Sequence, residues 1–401
     1  MFATPSEEFL GPLTGLVVTD LTRALAGPHA AMMLGDLGAE VIKVETPRGG
    51  DDTRGWGPPF VSPDDGDRES TYFLSANRNK KSLTLDLKSS DGHDTLEALI
   101  RKSDVLLENF RTGVLDRLGF SADRMLELNP RLIVLSISGF GHDGPDGGRS
   151  GYDQIAQGEA GLMSITGSDP DDPQKVGVPI ADLLAGMYGA YGVLAALHER
   201  DRTGRGQVVR TSLLAAVVGV HGFQGTKWTV AQQVGRAQGN HHPSISPYGL
   251  FRCADGAVQI AVGSEGLWSR LCAGFDLDPT AEGMTSNPER VDNRKAVNDL
   301  IDAAFAEYGT EQLLERLEQI GVPAGRIRSL DEVYQWEQTT SQGLLVDVEH
   351  DTLGRITLPG PPLRFFDSEG LETTRTSHTA PPVLGSDNDD IQTWLVEEGP
   401  R

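Results

Sequence analysis

A single carboxylate lies in a long apolar segment of the chain. Between Val176 and Leu197 the sequence reads VGVPIADLLAGMYGAYGVLAAL, and Asp182 is its only charged residue. Pro179 just upstream predicts that a buried helix begins here, at Leu183. Asp182 then suits an N-cap, but a partly desolvated carboxylate at a helix start can also attack an acyl group. Spacing leaves cap and catalyst about even. The apolar neighbours favour the catalyst, which the helix dipole should keep ionised.

Two other patterns were considered as ligand sites, and the sequence disfavours both. Gly139–Gly144 reads GFGHDG after a predicted strand, which matches a dinucleotide-binding fingerprint. The continuation PDGG does not open a helix, so the helix N-terminus that would bind phosphates is missing and an NAD site is disfavoured. His241 and His242 are adjacent and have no acidic partner at ligand spacing, so we predict no metal site.

The charge balance limits the partners of the chain. Its 35 Lys and Arg stand against 58 Asp and Glu, a net charge of −23, which argues against nucleic acid and membrane as partners. An anionic ligand therefore needs a local basic site, and a cluster of basic residues suits a phosphorylated ligand along the strand ends. The cluster comprises Lys43, Arg48, Arg54, Arg78, Lys80, Lys81, Lys88, Arg111 and Arg117.

Alternating strand and helix patterns must position these residues. Because helical segments separate most of the strands, we predict an α/β fold with a mostly parallel, doubly wound sheet. A second apolar helix is expected over Leu213–Val230. The predicted strands are Leu16–Leu21, Glu40–Glu45, Ser82–Leu87, Asp104–Phe110 and Arg131–Ser138.

The pattern changes after residue 225. A hairpin is predicted over Tyr248–Val262, with amphipathic helices over about 264–274 and 293–319. Two short strands and a helix follow in the tail. We therefore predict a large domain over 1–225, a smaller α+β domain over 226–333 and a tail over 334–401.

The remaining features suggest a cytoplasmic protein. The two cysteines, Cys253 and Cys272, cannot form a disulfide framework, and the N-terminus has no secretory-signal pattern. The apolar run after Asp182 has about fifteen residues, short of the ~20 that a membrane span needs. We expect a buried core helix there.

Four blocks of the chain, in their order and spacing, resemble the class III coenzyme A-transferases. This family includes formyl-CoA:oxalate and carnitine CoA-transferases and the related acyl-CoA racemases. The resemblance implies a Rossmann-like large domain, completed by residues 334–401, a smaller central domain and two subunits interlocked as a homodimer. The blocks are Ala26–Glu45, Ser70–Lys88, Leu106–Phe120 and Gly177–Gln207.

The resemblance also implies roles for individual residues. The nucleophilic aspartate of the family falls on Asp182, and Asp153 takes the place of an acidic residue near the reacting centre in some members. Coenzyme A is then a substrate, and no tightly bound cofactor is expected. The positions that contact coenzyme A fall on Ala24, Leu25, Leu85, Asn109, Phe110, Arg117 and Tyr152.

The implied mechanism uses covalent intermediates. Asp182 attacks the thioester of an acyl-CoA to form a mixed anhydride, and the CoA thiolate returns to give an aspartyl-CoA thioester. The acceptor carboxylate then attacks, and coenzyme A leaves on the new acid. Dividing the transfer into several steps conserves the thioester energy.

Two departures narrow the activity. Racemases carry Gly-His-Asp where this chain has Gly151–Asp153 (GYD), so the proton-transfer base is missing at Tyr152. Formyl-CoA transferase has four glycines in an active-site loop, where this chain has Gly239–Pro243 (GNHHP). The first departure favours transfer over racemisation. The second disfavours specificity for formyl-CoA and oxalate, and Gly239 and Asn240 are candidate substrate contacts.

Four further segments resemble the succinyl-CoA:glutarate type within the family. This predicts succinyl-CoA as donor and a small dicarboxylic acid as acceptor, with Arg54 and Arg78 as candidates for the second carboxylate. The segments are Gly50–Val61, Glu69–Ser82, Ser150–Gly167 and Ser244–Phe251.

Three alternatives remain beside the transferase. An α-methylacyl-CoA racemase of the same fold would exchange the α-proton of its substrate without an acceptor acid. A CoA-binding protein without catalysis would use Asp182 as a cap only. An NAD-dependent dehydrogenase comes last because the fingerprint lacks its helix.

Overall fold

A computed structural model describes residues 10–63 and 66–397. They form two compact units, which we call the large and the small unit. The large unit holds the described residues up to Leu162, Val176–Thr226 and those from Glu337 onward, and the small unit holds Met163–Lys175 and Lys227–Trp336. The boundaries differ from the predicted ones mainly at Met163–Lys175. This segment bonds to the small unit, where Gly239 N donates to Gly167 O at 2.9 Å.

A six-stranded parallel sheet forms the centre of the large unit, in the order β5-β2-β1-β6-β7-β8. The predicted mostly parallel sheet is confirmed. Strand β8 was not predicted, because its half-exposed sequence QVVRTS lacks the apolar run of the central strands. Strands β3 and β4, of two residues each, form a separate antiparallel pair. The strands are β1 (Val17–Asp20), β2 (Glu40–Glu45), β3 (Phe60–Val61), β4 (Glu69–Ser70), β5 (Lys80–Thr84), β6 (Val105–Glu108), β7 (Ile133–Ser138) and β8 (Gln207–Ser212).

Helices cover both faces of this sheet. Successive strand residues point to opposite faces, so Val18 and Leu107 pack under α1 and α7 while Val17 and Leu106 pack under α3 and α5. The helices of this part of the chain are α1 (Ala26–Asp36), α2 (Thr71–Leu74), α3 (Ser90–Lys102), α4 (Val114–Arg117), α5 (Ala122–Leu128), α6 (Asp153–Glu159), α7 (Ile180–Thr203), α8 (Leu213–Gly219) and α9 (Gly222–Thr229).

The apolar helix α7 is longer than predicted. It begins at Ile180, not at Leu183, and has 24 residues. By length and composition alone it could cross a membrane, a test that core helices of other proteins also pass. One side packs in the core of the large unit, with Ala181, Ala185 and Val193 fully buried. The apolar segment after it forms two helices, α8 and α9, rather than the predicted single one.

The small unit contains a three-stranded antiparallel sheet. The predicted hairpin is present, with Cys253 paired to Gly256 at its turn. Its core is built around Phe251, Trp268 and Phe305. The elements are β9 (Tyr248–Cys253), β10 (Gly256–Ala261), α10 (Glu265–Gly274), α11 (Asn287–Asp292), α12 (Arg294–Phe305), α13 (Thr310–Gln319), β11 (Ala324–Arg326) and α14 (Leu330–Gln335).

The C-terminal segment returns to the large unit. Side-chain oxygens of Asp387 and Asn388 accept hydrogen bonds from Ser82 N at 2.9 Å and Thr84 N at 2.8 Å. They thereby satisfy the outer edge of β5, which would otherwise be unpaired. The elements of the segment are α15 (Glu337–Ser341), β12 (Leu345–His350), β13 (Gly354–Pro359) and α16 (Asn388–Glu397).

Candidate active site

Asp182 lies inside the first turn of α7, not at its cap. The N-cap is Pro179, which makes no side-chain capping bond. The free amides bond instead to Asp153 of α6, whose Oδ1 accepts from Ala181 N at 2.8 Å and from Asp182 N at 3.4 Å. The idea that Asp182 caps its own helix is therefore wrong, because a carboxylate from another helix binds those amides.

The Asp182 carboxylate is half-buried and lies near a second carboxylate, that of Asp153. No described residue of the large unit donates a hydrogen bond to it. Burial, and secondly the Asp153 carboxylate, raise its pKa from 3.8 to about 7. That rise corresponds to about 4 kcal/mol against the charged form, whereas a helix dipole supplies roughly 0.3–1 kcal/mol in its favour. Burial therefore outweighs the helix dipole that was expected to keep Asp182 ionised, and it raises the pKa of the carboxyl into the neutral range.

A tyrosine that the sequence did not single out lies in the field of the same carboxylates. Burial, and then the charges of Asp182 and Asp153, raise the pKa of Tyr72 to about 12. Its hydroxyl therefore stays protonated and can donate a hydrogen bond. Its ring meets Trp56 edge-on, with 5.1 Å between centroids. No motif marks such a tyrosine, and only its place in the block Ser70–Lys88 hinted at it.

Four predicted contacts to coenzyme A lie together at the carboxyl edge of the sheet. Ala24 and Leu25 follow β1, and Asn109 and Phe110 follow the neighbouring β6. The Asn109 side chain holds the first loop: its Oδ1 accepts from Arg23 N at 2.9 Å and its Nδ2 donates to Arg23 O at 2.7 Å. The Arg23 guanidinium carbon lies 5.4 Å from the centre of the Phe110 ring.

Buried ion pairs lie next to the loop that follows β1. Ala24 has a left-handed φ of 65°, which is costly for a residue with a Cβ, and its N donates to Asp51 Oδ1 at 3.2 Å. Lys43 pairs with Asp51 at 2.8 Å, and Lys80 pairs with Asp20 at 2.9 Å, all four side chains being fully buried. Burial lowers the pKa of Lys80 to about 8. Both lysines belonged to the predicted basic cluster, and their ammonium groups are instead held inside the protein.

The other predicted coenzyme contacts are spread along the same unit. Leu85 is buried just after β5, where its N donates to Glu45 O at 2.8 Å. Arg117 is exposed at the end of α4, after the loop that follows β6. Tyr152 is 66% exposed and directly precedes α6. Their contacts with coenzyme A stay a prediction.

The two arginines chosen for a second substrate carboxylate already have partners. Arg54 donates to both oxygens of Glu45, at 2.7 and 2.8 Å. Arg78 is buried and makes two bonds to Asp36 and a third, of 2.9 Å, to Pro359 O. Because both guanidinium groups are engaged by carboxylates, the geometry does not favour either as the substrate ligand.

The remaining candidates lie elsewhere. Gly239 and Asn240 belong to the small unit, where Gly239 has a φ of 61°. The loop Gly139–Gly144 is followed by no helix before Asp153, as its sequence predicted. Within residues 10–63 and 66–397, no group of three or more His, Cys, Asp or Glu is arranged to hold a metal.

Fold and site together define a class. Ligands of open α/β sheets bind at the loops on the carboxyl edge of the strands. In the large unit, the Asp182 carboxylate lies in the first turn of α7 without a hydrogen-bond donor among the described residues of that unit. This arrangement suits acyl chemistry on a nucleotide-bearing thioester.

Comparison with known proteins agrees with this class. Residues 13–388 match the model of CoA-transferase family III. The chain is 39% identical over 376 residues to the succinyl-CoA:glutarate CoA-transferase of Mus musculus, covering 93% of this chain and 84% of the relative. It is 41% identical over 341 residues to the succinate–glutarate CoA-transferase of Agrobacterium fabrum, covering 84% and 85%.

A solved structure has the same fold. The crystal structure of a CaiB/BaiF family protein from Brucella suis superposes with a TM-score of 0.83 at 36% identity, covering 96% of this chain and 99% of that one. The chain belongs to CoA-transferase family III, and it is a CoA-transferase. The family assignment drawn from the four sequence blocks is confirmed.

Proposed function

We propose that this enzyme transfers coenzyme A from succinyl-CoA to a small dicarboxylic acid, with Asp182 as the nucleophile. The observation that carries the proposal is the Asp182 carboxylate itself, which is half-buried, accepts no hydrogen bond from a described residue of the large unit, and lies in the helix turn that Asp153 caps. The names of the two relatives, which both pair succinate with glutarate, support these substrates.

The reaction balances through Asp182 alone. A carboxylate oxygen attacks the thioester carbonyl and expels CoA thiolate, which leaves a mixed anhydride. The thiolate attacks the aspartyl carbonyl of the anhydride, releases the donor acid and forms an aspartyl-CoA thioester. The acceptor carboxylate repeats these steps in reverse order, which regenerates the Asp182 carboxylate and yields the new acyl-CoA.

Coenzyme A is proposed to bind at the carboxyl edge of the sheet. The loops after β1 and β6 meet there through Asn109 and Arg23, and a ligand in an open α/β sheet binds at this edge. The residues proposed to contact coenzyme A are Ala24, Leu25, Leu85, Asn109, Phe110, Arg117 and Tyr152.

The protein is also proposed to act as a homodimer with interlocked subunits. Support comes from α7, which presents four large apolar side chains to solvent on one face of a single chain. A helix that buries one apolar side and exposes another is typical of an interface. The four residues are Met187, Tyr188, Tyr191 and Leu194.

The racemase alternative has less support. Tyr152 stands where the racemase histidine is expected, so the imidazole that transfers the α-proton in racemases is missing. Both relatives named above are transferases.

The substrate proposal is tested with a panel of acids. The protein is mixed with succinyl-CoA and one acid at a time, and new CoA esters are identified by mass. We expect glutarate and similar dicarboxylates to give new esters, and monocarboxylates of equal chain length to give far less. Asp182→Asn should give none. New esters from monocarboxylates alone would contradict the dicarboxylate proposal, and no ester from any acid would contradict transfer.

A further inference from the structure

Three side chains form a hydrogen-bonded chain at the carboxyl ends of β6 and β7. The hydroxyl of Ser136 bonds to Glu108 Oε1 on one side and lies 2.6 Å from His142 Nε2 on the other. The second imidazole nitrogen, Nδ1, lies 3.5 Å from the Ser138 hydroxyl, which accepts a bond of 3.0 Å from Gly141 N. His142 belongs to the glycine-rich loop that no step of the proposed mechanism uses.

This chain can hold an added proton without losing a bond. With a neutral imidazole, Nε2–H donates to Ser136 and the Ser136 hydroxyl donates to the Glu108 carboxylate. With one more proton, both imidazole nitrogens donate, and Ser138 Oγ accepts while its own hydrogen turns to Thr211 O at 3.5 Å. An uncharged or a charged His142 is therefore equally well bonded.

The surroundings of this hydrogen-bonded chain bring the pKa values of Glu108 and His142 closer together. Burial raises the pKa of Glu108, and Asp116 of α4 adds to this while the Ser136 bond and Arg210 of β8 oppose it. Burial and Arg210 lower the pKa of His142, against Asp143 in the same loop. A carboxylic acid and an imidazole with similar proton affinities titrate as a coupled pair that shares one proton.

The chain is joined to the proposed coenzyme A site. Glu108 Oε2 accepts a hydrogen bond of 2.9 Å from Phe110 N. Glu108 therefore bonds through Oε2 to the backbone of Phe110, a proposed coenzyme A contact, and through Oε1 to Ser136 of the hydrogen-bonded chain. An anion bound beside Phe110 would stabilise a positive charge or a neutral acid in this chain.

We propose that Glu108, Ser136 and His142 take up a proton when coenzyme A binds, and that they act as positioning residues for Phe110. The proton comes from solvent and no covalent bond changes. The inference rests on the proposed function, since it needs coenzyme A at the carboxyl edge of the sheet. It predicts that coenzyme A binds more tightly at weakly acidic pH, through groups other than Asp182.

Calorimetry of coenzyme A binding measures this uptake. Titrations at pH 6 in buffers of different ionisation enthalpy give the number of protons bound. All variants carry Asp182→Asn, which prevents turnover and removes a group whose pKa lies at about 7. The phosphate monoester of the ligand, with a second pKa of about 6, adds the same number of protons to every measurement, so variants are compared by their difference from the parent. We expect His142→Gln to take up about 0.5 proton fewer than the parent.

Two further variants make the result decisive. Glu108→Gln keeps an acceptor for Phe110 N but cannot hold the proton, so it should lose the same proton uptake. It also replaces His142→Gln as the test if that variant fails to fold. Glu369→Gln, at an exposed glutamate of the C-terminal segment, should keep the parent value. If coenzyme A binds to His142→Gln and Glu108→Gln with the same proton uptake as to the parent, the inference is overturned. Failure of coenzyme A to bind the parent overturns the proposed function instead.

Discussion

At the scale of single residues, helix capping and the proposed nucleophilic attack belong to two different aspartates, Asp153 and Asp182. Asp153 binds the amides at the start of α7. Asp182 is thereby left without a bond, and its oxygen lone pairs are available for attack. The cost is a raised pKa, because the charged form is removed from water and lies near a second carboxylate.

The raised pKa predicts a pH dependence for the proposed reaction. The proposed nucleophile Asp182 reacts only when ionised, and burial raises its pKa to about 7, so kcat/KM should rise with pH through 7 and level off above about 8. Below the midpoint the rate should fall about tenfold per pH unit. Initial rates of ester formation between pH 5.5 and 9 measure this profile.

The neighbouring carboxylate should move that profile. Asp153→Asn removes a negative charge but keeps an oxygen for Ala181 N, so the pKa of Asp182 falls and the midpoint shifts to lower pH. Asp169→Asn, at an exposed acidic residue of the small unit, serves as the matched control and should leave the midpoint in place. A shift to higher pH in Asp153→Asn would contradict the assigned cause.

At the scale of elements, the position of Asp182 depends on how closely α7 packs on α1. A Cβ on Gly186 would come within 2.6 Å of Ala26 O, a backbone atom that cannot turn aside. A Cβ on Gly189 would meet the end of the Leu135 side chain at 2.8 Å, which can rotate away. The glycine at 186 therefore permits a close helix approach one turn below Asp182.

Alanine substitutions at these two glycines test this packing. Alanine favours a helix over glycine by about 1 kcal/mol, whereas overpacking costs roughly 1–3 kcal/mol. We expect Gly186→Ala to lower the free energy of unfolding and to reduce kcat, because the start of α7 moves. Gly189→Ala should be close to neutral in both. Chemical denaturation and initial rates compare them, and equal effects at both positions would refute the packing argument.

The elements that the sequence predicted are those with a simple pattern. Apolar strands such as Ile133–Ser138 are buried on both faces and were recognised by composition. The half-exposed β8 was missed, and Met163–Lys175 was placed with the wrong unit. The cap from Asp153 to Ala181 was not predictable, because it joins residues 28 apart through tertiary packing. The buried ion pairs of Lys43 with Asp51 and of Lys80 with Asp20 were not predictable either, because a lysine in a sequence does not show whether it is buried.

At the scale of the whole molecule, the exposed face of α7 is the feature that a single chain leaves unexplained. Tyr191 is 70% exposed and Met187 is 49% exposed. Covering such residues in a partner releases roughly 25 cal/mol per Å² of apolar surface. The proposed homodimer accounts for this face.

Light scattering after size exclusion tests the dimer. The unaltered protein should have twice the mass of one chain, and Tyr191→Glu should shift it toward monomer because a charge would be buried. Val396→Glu, on the 85% exposed position of α16, should leave the mass unchanged. A monomeric unaltered protein would contradict the proposal.

Trapping the covalent intermediate tests the central claim most directly. The enzyme is treated with succinyl-CoA and hydroxylamine, and its peptides are mapped by mass. We predict one hydroxamate, on Asp182, which forms only when the acyl-CoA is present. Modification at another residue, or full transferase activity in Asp182→Ala, would contradict the assignment of Asp182 as the nucleophile.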